Sequence, residues 1–292
     1  MDGLNIIARS MSVATKGSPT GNAFQYGNAW QYHPRSDRHS KIACWALMFD
    51  LVGECGLLRE HLAAGKVAIG INHTMRDFAR DREKNLDLVL CRAAASERPR
   101  LKGRPETFAE LVEPYTIQLD GAERAKLAAM PEARLAQPAS VLLALEAKAC
   151  MTEFGKARPR LYDELNSSHL TIHGDNNNAI AAGFALLNSA ETFISPLRNP
   201  WPLDSRPTVI NRHHQPQAFR SVVTKLAQLR RRSRPDEEGF DALAIAVIEC
   251  ANDGNPVIVR PNVGARDHSE GYNYEATVSR LAHIYATRFS GV

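Results

Sequence analysis

Residues 141–149, VLLALEAKA, form an apolar run broken by only two charges, Glu146 and Lys148. A run of this length reads as a buried strand or a piece of buried helix. The segment Gln137-Pro138-Ala139-Ser140 before it and the charged, Gly- and Pro-bearing segment after Met151 favour the strand. Side chains of a strand alternate between faces, so Glu146 and Lys148 project together, with Leu142 and Ala144 behind them. A carboxylate and an ammonium side by side at a strand end are costly to desolvate unless something there uses them. Two uses are open: a satisfied ion pair at a sheet edge, or a metal-ligand carboxylate beside a lysine that activates or stabilises an attacking water. A second acid poses the same question. Asp87 lies inside the apolar segment 85–91, NLDLVLC, and shares a face with Val89 and Cys91. A lone aspartate in such a strand implies a cap, a partner or a metal.

The elements that must position these groups follow from hydrophobic periodicity. From 41 to 64, Ile42, Trp45, Phe49, Val52, Cys55, Leu58 and Leu62 recur at helical steps, with Ser40 as the expected N-cap and Gly65 as the residue just past the end. Glu54 sits at the flank of that stripe. Residues 66–71 read as a short strand, 76–84 as a charged hairpin or loop, and 85–91 as the strand carrying Asp87. Residues 96–138 read as an insertion that opens with loop chemistry and continues with helical patterns near 106–113 and 121–130, the second capped by Asp120. After the central strand a helix is expected over 152–169, started or kinked by Pro159. A turn at 174–178 and a buried strand over 179–188 follow. Strand, helix, strand in that order implies a crossover and a parallel pair. Beyond 195 the chain is irregular and Pro-rich, then helical over 217–231 and 240–251, with a short strand at 256–260 and a last helix over 273–289.

The order of helix, strand, Asp87 strand, Glu146-Ala147-Lys148 strand, helix and strand resembles the PD-(D/E)xK nuclease superfamily, over roughly residues 41–190. The resemblance implies an α/β fold with a restriction-endonuclease-like mixed central sheet flanked by helices, followed here by a mainly helical C-terminal part. It implies that Asp87 and Glu146 ligate Mg²⁺, with Mn²⁺ able to substitute, and that Lys148 orients or activates the water attacking a phosphodiester. Glu54 matches loosely an acid that some members place on the N-terminal helix. The chain departs from the pattern in two ways. Leucine, not proline, precedes Asp87, and the gap to Glu146 is long enough to require the insertion, which makes Asp120 the rival acid. The chemistry agrees: carboxylate-held divalent metal both stabilises charge on phosphoryl oxygens and supplies a nucleophile near neutral pH.

That implied activity sets the remaining expectations. The organisation would be an irregular arm at 1–40, a nuclease core at 41–194 and a C-terminal region at 195–292 for DNA recognition or dimerisation. Double-stranded DNA is the expected partner, with a restriction enzyme as the leading role. A non-catalytic DNA-binding protein on the same fold, or a nuclease for branched or damaged DNA or for RNA, are the alternatives. Lys156, Arg158 and Arg160 on one helix, and Arg230, Arg231 and Arg232 further on, are candidate DNA contacts. A homodimer would match two-fold symmetric sites, with 217–251 and 273–289 as its interface. Lys and Arg exceed Asp and Glu by 36 − 32 = 4, a mildly basic balance. No apolar stretch approaches the ~20 residues that span a bilayer, and the N-terminus lacks the pattern of a secretion signal. The 5 scattered cysteines suggest buried, reduced thiols and a cytoplasmic setting. No phosphate-loop glycine motif, serine-elbow motif or paired C-x-x-C competes with this reading.

Overall fold

A computed structural model of the chain describes residues 1–16, 26–94, 104–260 and 272–292. Its middle layer is a mixed six-stranded sheet. The strands β1 (Ala68–Asp77) and β2 (Arg82–Ala93) form an antiparallel hairpin, and β2 pairs antiparallel with β3 (Pro138–Cys150). The helix α5 (Phe154–Asp175) then carries the chain back to β4 (Ile180–Asn188), which lies parallel to β3 as expected. β7 (Ala242–Glu249) is parallel to β4, and the short β8 (Ile258–Val259) closes that edge antiparallel. A separate ribbon joins β5 (Thr192–Ile194) to β6 (Ile210–Arg212).

Helices cover both faces. On one lie α1 (Gly3–Ser12), α2 (Arg38–Glu54), α3 (Gly56–Ala63) and α7 (Tyr274–Arg288), packed on Leu88, Leu90, Leu143, Leu145 and Ala147. On the other lie α5 and α6 (Gln217–Leu226), over Val89, Ala144, Ala181 and Leu243. Each large apolar side chain fully buried in these layers stabilises the fold by about 1.5–3 kcal/mol. α2 is the centre of the first layer. Trp45 stacks on Phe108 at 4.8 Å and donates its indole N–H to the Phe108 carbonyl, tying the expected insertion to α2. Within that insertion α4 (Gly121–Ala129) begins at Asp120, whose side chain and that of Glu123 form a reciprocal capping box.

Several expectations are corrected. Residues 240–251 are not a helix; they hold the strand β7, buried between β4 and β8. The seven-residue apolar run 242–248, covered on both faces, has no polar alternation to betray its period. β7 is therefore also removed from the expected dimer interface. The arm at 1–40 is not irregular throughout: its first residues are α1, which docks on α2. Residues 17–25 of the arm and 95–103 of the insertion lie outside the described residues. The helix expected over 41–64 breaks at Cys55 into α2 and α3, and Gly65, at φ +66, ends the second. Ser40 is not the N-cap, since α2 starts at Arg38. Its hydroxyl is used elsewhere. Pro159 neither starts nor stops α5, which runs through it. The helix at 217 ends at Leu226, and the pattern near 106–113 yields only a 3₁₀ turn, Ala109–Val112.

Candidate active site

The site forms where β2 and β3 part. Their ladder runs as far as Leu88↔Leu145, and carried one residue further it sets Asp87 across from Glu146. Beyond that point β2 continues with β1, and β3 continues with β4. The hairpin bends here: Asn72, between the paired positions Ile71↔Leu88 and His73↔Leu86, has a left-handed φ of 50°. Asn tolerates that conformation better than most side chains. Past the bend, Met75 and Leu86 join Leu165 and Ile172 of α5 in one cluster, so the hairpin leans over that helix.

Asp87 fills the gap left by the parting strands. Its Oδ2 accepts the Ala147 N–H at 3.0 Å, and its Oδ1 accepts the Ser40 hydroxyl at 3.0 Å. Burial pushes the Asp87 carboxyl upward, against the opposing pull of those bonds and of Lys148. Glu146 is 0% exposed. Lys148 Nζ ion-pairs with its Oε1 at 2.7 Å, while its Oε2 has no hydrogen-bond partner among the described residues. Burial, followed by the charge of Asp87, raises the Glu146 carboxyl to about 7, although Lys148 opposes the shift. Lys148 is itself raised: the attraction of Glu146, Asp87 and Glu164 outweighs its own desolvation.

Three neighbours were not singled out from the sequence. Glu164 of α5 places a carboxylate oxygen 3.8 Å from Lys148 Nζ and binds Arg160 at 2.6 Å. Lys84, on the far part of β2, donates to the Glu164 carbonyl at 3.4 Å. His39 packs on Tyr32 with ring centroids 5.1 Å apart, and burial together with Lys148 lowers it to about 4. A helix following the acidic strand gave no periodic signal for Glu164, because its partner comes from β3 and not from its own helix.

The expected site residues thus divide. Asp87, Glu146 and Lys148 come together. Arg160, exposed on α5, stands at the rim through Glu164. Lys156 is 89% exposed beside Glu153, and Arg158 is exposed on the same helix. Glu54 is exposed at the far end of α2, ~21 Å along the axis from Ser40 at 1.5 Å per residue, and does not join the acids. Asp120 serves its cap and faces Arg9 at 3.9 Å, so it is no rival to Asp87. Arg230 is exposed beside Glu238, and Arg231 stacks over Tyr272 at 4.8 Å. Arg232 is corrected: its side chain is 0% exposed and pairs with buried Asp241 at 3.0 Å, so it cannot reach a nucleic acid.

Two acids meet at Glu146, and among the described residues no three His, Cys, Asp or Glu side chains form a metal-holding group. An all-protein cage is thereby set aside for those residues. Mg²⁺, which takes one or two carboxylates and fills its shell with waters and substrate phosphate, fits this donor set. The Oε2 of buried Glu146, unpartnered among the described residues, is the atom such an ion would satisfy first. Comparisons with protein-family models, with curated proteins and with solved structures found nothing that matches this chain. No helix among the described residues is long and apolar enough to cross a membrane.

Proposed function

We propose that the chain is a Mg²⁺-dependent endonuclease of the restriction type, acting on double-stranded DNA, with a restriction-endonuclease-like fold built on the six-stranded sheet. One observation carries this reading. A fully buried glutamate, its Oε2 without a hydrogen-bond partner among the described residues, stands where two strands part, beside a second acid and an ion-paired lysine that are both partly exposed. Such an arrangement is costly to a fold that does not use it. A divalent ion, when bound, supplies charge stabilisation for the phosphoryl oxygens and a deprotonated water. Asp87 and Glu146 would hold it. The Ser40 hydroxyl and the Ala147 N–H fix the Asp87 carboxylate for that task. Lys148 holds the attacking water and the developing charge. Glu164 and Glu146 hold the Lys148 ammonium in place from two sides. Lys84 and Arg160 add positive charge at the rim for the phosphate backbone.

The 2.7 Å ion pair favours a second reading, in which the acids and lysine form a closed cluster in a DNA-binding protein without catalysis. Incubating unmethylated phage DNA with the protein and Mg²⁺ or Mn²⁺ separates the two. Lys148→Ala and Asp87→Asn should lower the cleavage rate ~100-fold or more, as loss of a positioned proton-transfer or charge-stabilising group does, while DNA binding persists. Wild-type protein that binds DNA and cuts it with neither metal would establish the binder instead.

A further inference from the structure

A cavity of about 790 Å³ opens beyond the C-terminal end of β3, and Asp87, Glu146 and Lys148 are not part of its wall. The start of α5, the β5–β6 ribbon and the start of α6 converge on it. Its volume lies within the range of about 300–1,000 Å³ typical of ligand sites. The wall is cationic: Lys156, Arg198 and Arg212 line the space.

A neutral partner orients Arg198. Arg198 donates to Asn211 Oδ1 at 3.1 Å, and Asn211 in turn donates to Thr152 Oγ1 at 3.1 Å. His213 is held at both nitrogens, by the Ala190 carbonyl at 2.8 Å and the Thr152 hydroxyl at 3.0 Å. Among the described residues no carboxylate lies within ion-pair distance of Arg198 or Arg212. The single acid in the wall, Glu153, faces Lys156 at 3.7 Å. Three cations against one carboxylate leave an excess of positive charge in a concave, polar space. That chemistry suits a phosphoryl group, above all through the arginine forks.

The cavity also lies near the candidate active site. Thr152 follows Lys148 by four residues, at most ~14 Å of extended chain. A DNA strand carries one phosphate per ~3.4 Å of helix axis, so a strand cut beside Glu146 passes this distance within a few nucleotides. We propose that the cavity is a phosphate subsite, which grips the substrate strand a few nucleotides from the bond that is broken. The proposal rests on the nuclease reading for its register, but its binding test does not require cleavage.

The probe is a labelled duplex oligonucleotide, bound across a range of KCl concentrations by the full chain in the presence of a chelator. The doubly substituted variant Arg198→Ala/Arg212→Ala should flatten the plot of log affinity against log salt by about 1 to 2, one for each phosphate that is no longer neutralised. Arg134→Ala, an exposed arginine outside the cavity, is the control and should leave the slope unchanged. Because a variant can misfold, wild-type protein is also tested against duplexes with one neutral methylphosphonate at successive positions. A drop in affinity at one position, absent in the double variant, supports the subsite. Unchanged slope and affinity in the double variant overturn it. A nucleoside monophosphate that binds wild type at the cavity while the duplex slope stays the same in the variant overturns the strand assignment. If no metal ever supports cleavage but the slope still falls, the nuclease reading fails and the subsite stands. If cleavage is robust and the slope does not move, the subsite alone falls.

Discussion

Glu146 occupies the least favourable setting of any carboxylate in the candidate site, and the imbalance can be measured without DNA. Its carboxyl is raised from 4.5 to about 7. Between those values the folded chain binds more protons than the unfolded chain, so stability falls as pH rises, and the cost is fully present above about 7. The size of the full shift corresponds to a cost of order 3–4 kcal/mol. His39 and His169, both lowered to about 4, act in the opposite sense. Their neutral forms stabilise the fold above 6.5, and that contribution is lost as pH falls toward 4. Only a difference between proteins isolates Glu146. In chelator, the unfolding free energy of Glu146→Gln minus that of wild type should shift in the variant's favour by of order 2–3 kcal/mol from pH 5 to pH 8. Denaturant melts at each pH measure it, and a flat difference would mean that Glu146 titrates as an ordinary carboxylate.

At the scale of elements, the buried charge cluster around Asp241 explains why Arg232 does not serve the role that the run 230–234 suggests. Asp241, just before β7, accepts from the Ala181 N–H on β4, from Arg232 and from Arg288 on α7. Burial alone would raise its carboxyl, but His173 of α5, Arg232 and the Ala181 N–H hold it well below the usual range. Arg232 also donates to the carbonyls of Asn177, Ala179 and Pro235. The cluster pins β7, α7 and the α5–β4 turn to one another. Arg232→Met should therefore cost about 3–5 kcal/mol in thermal or denaturant unfolding, the penalty for stranding buried Asp241, while Arg230→Ala should stay within about 0.5 kcal/mol of wild type. The same pair read by DNA binding should behave in reverse if Arg230 meets phosphate. An Arg232→Met protein that melts like wild type would show that Arg288 and His173 suffice for Asp241.

At the scale of the molecule, the proposed nuclease reading gives one set of Asp87, Glu146 and Lys148 per chain, which would cut one strand. A double-strand break in one binding event then requires two chains, and two-fold symmetric sites are most simply met by a two-fold dimer. With β7 internal to the sheet, α6 and α7 are what remains of the expected interface. Light scattering should give twice the chain mass of 32.3 kDa, at least with DNA bound. A monomer with and without DNA that still makes double-strand breaks in a single encounter would refute the dimer. The division between sequence and tertiary structure follows physical range. Alternation within β2 and β3, the apolar run of β4 and the cap at Asp120 are local patterns, and they already specified two acids, a lysine and a parallel crossover pair. Three decisions were not local. β7 became a strand because β4 and β8 offered ladders to an apolar run equally suited to a helix. Arg232 became a buried anchor because Asp241 waits across a turn for it, which no spacing announces. Glu164 reached Lys148 and Glu54 did not, because helix packing on the sheet, not sequence distance, decides which side chains meet.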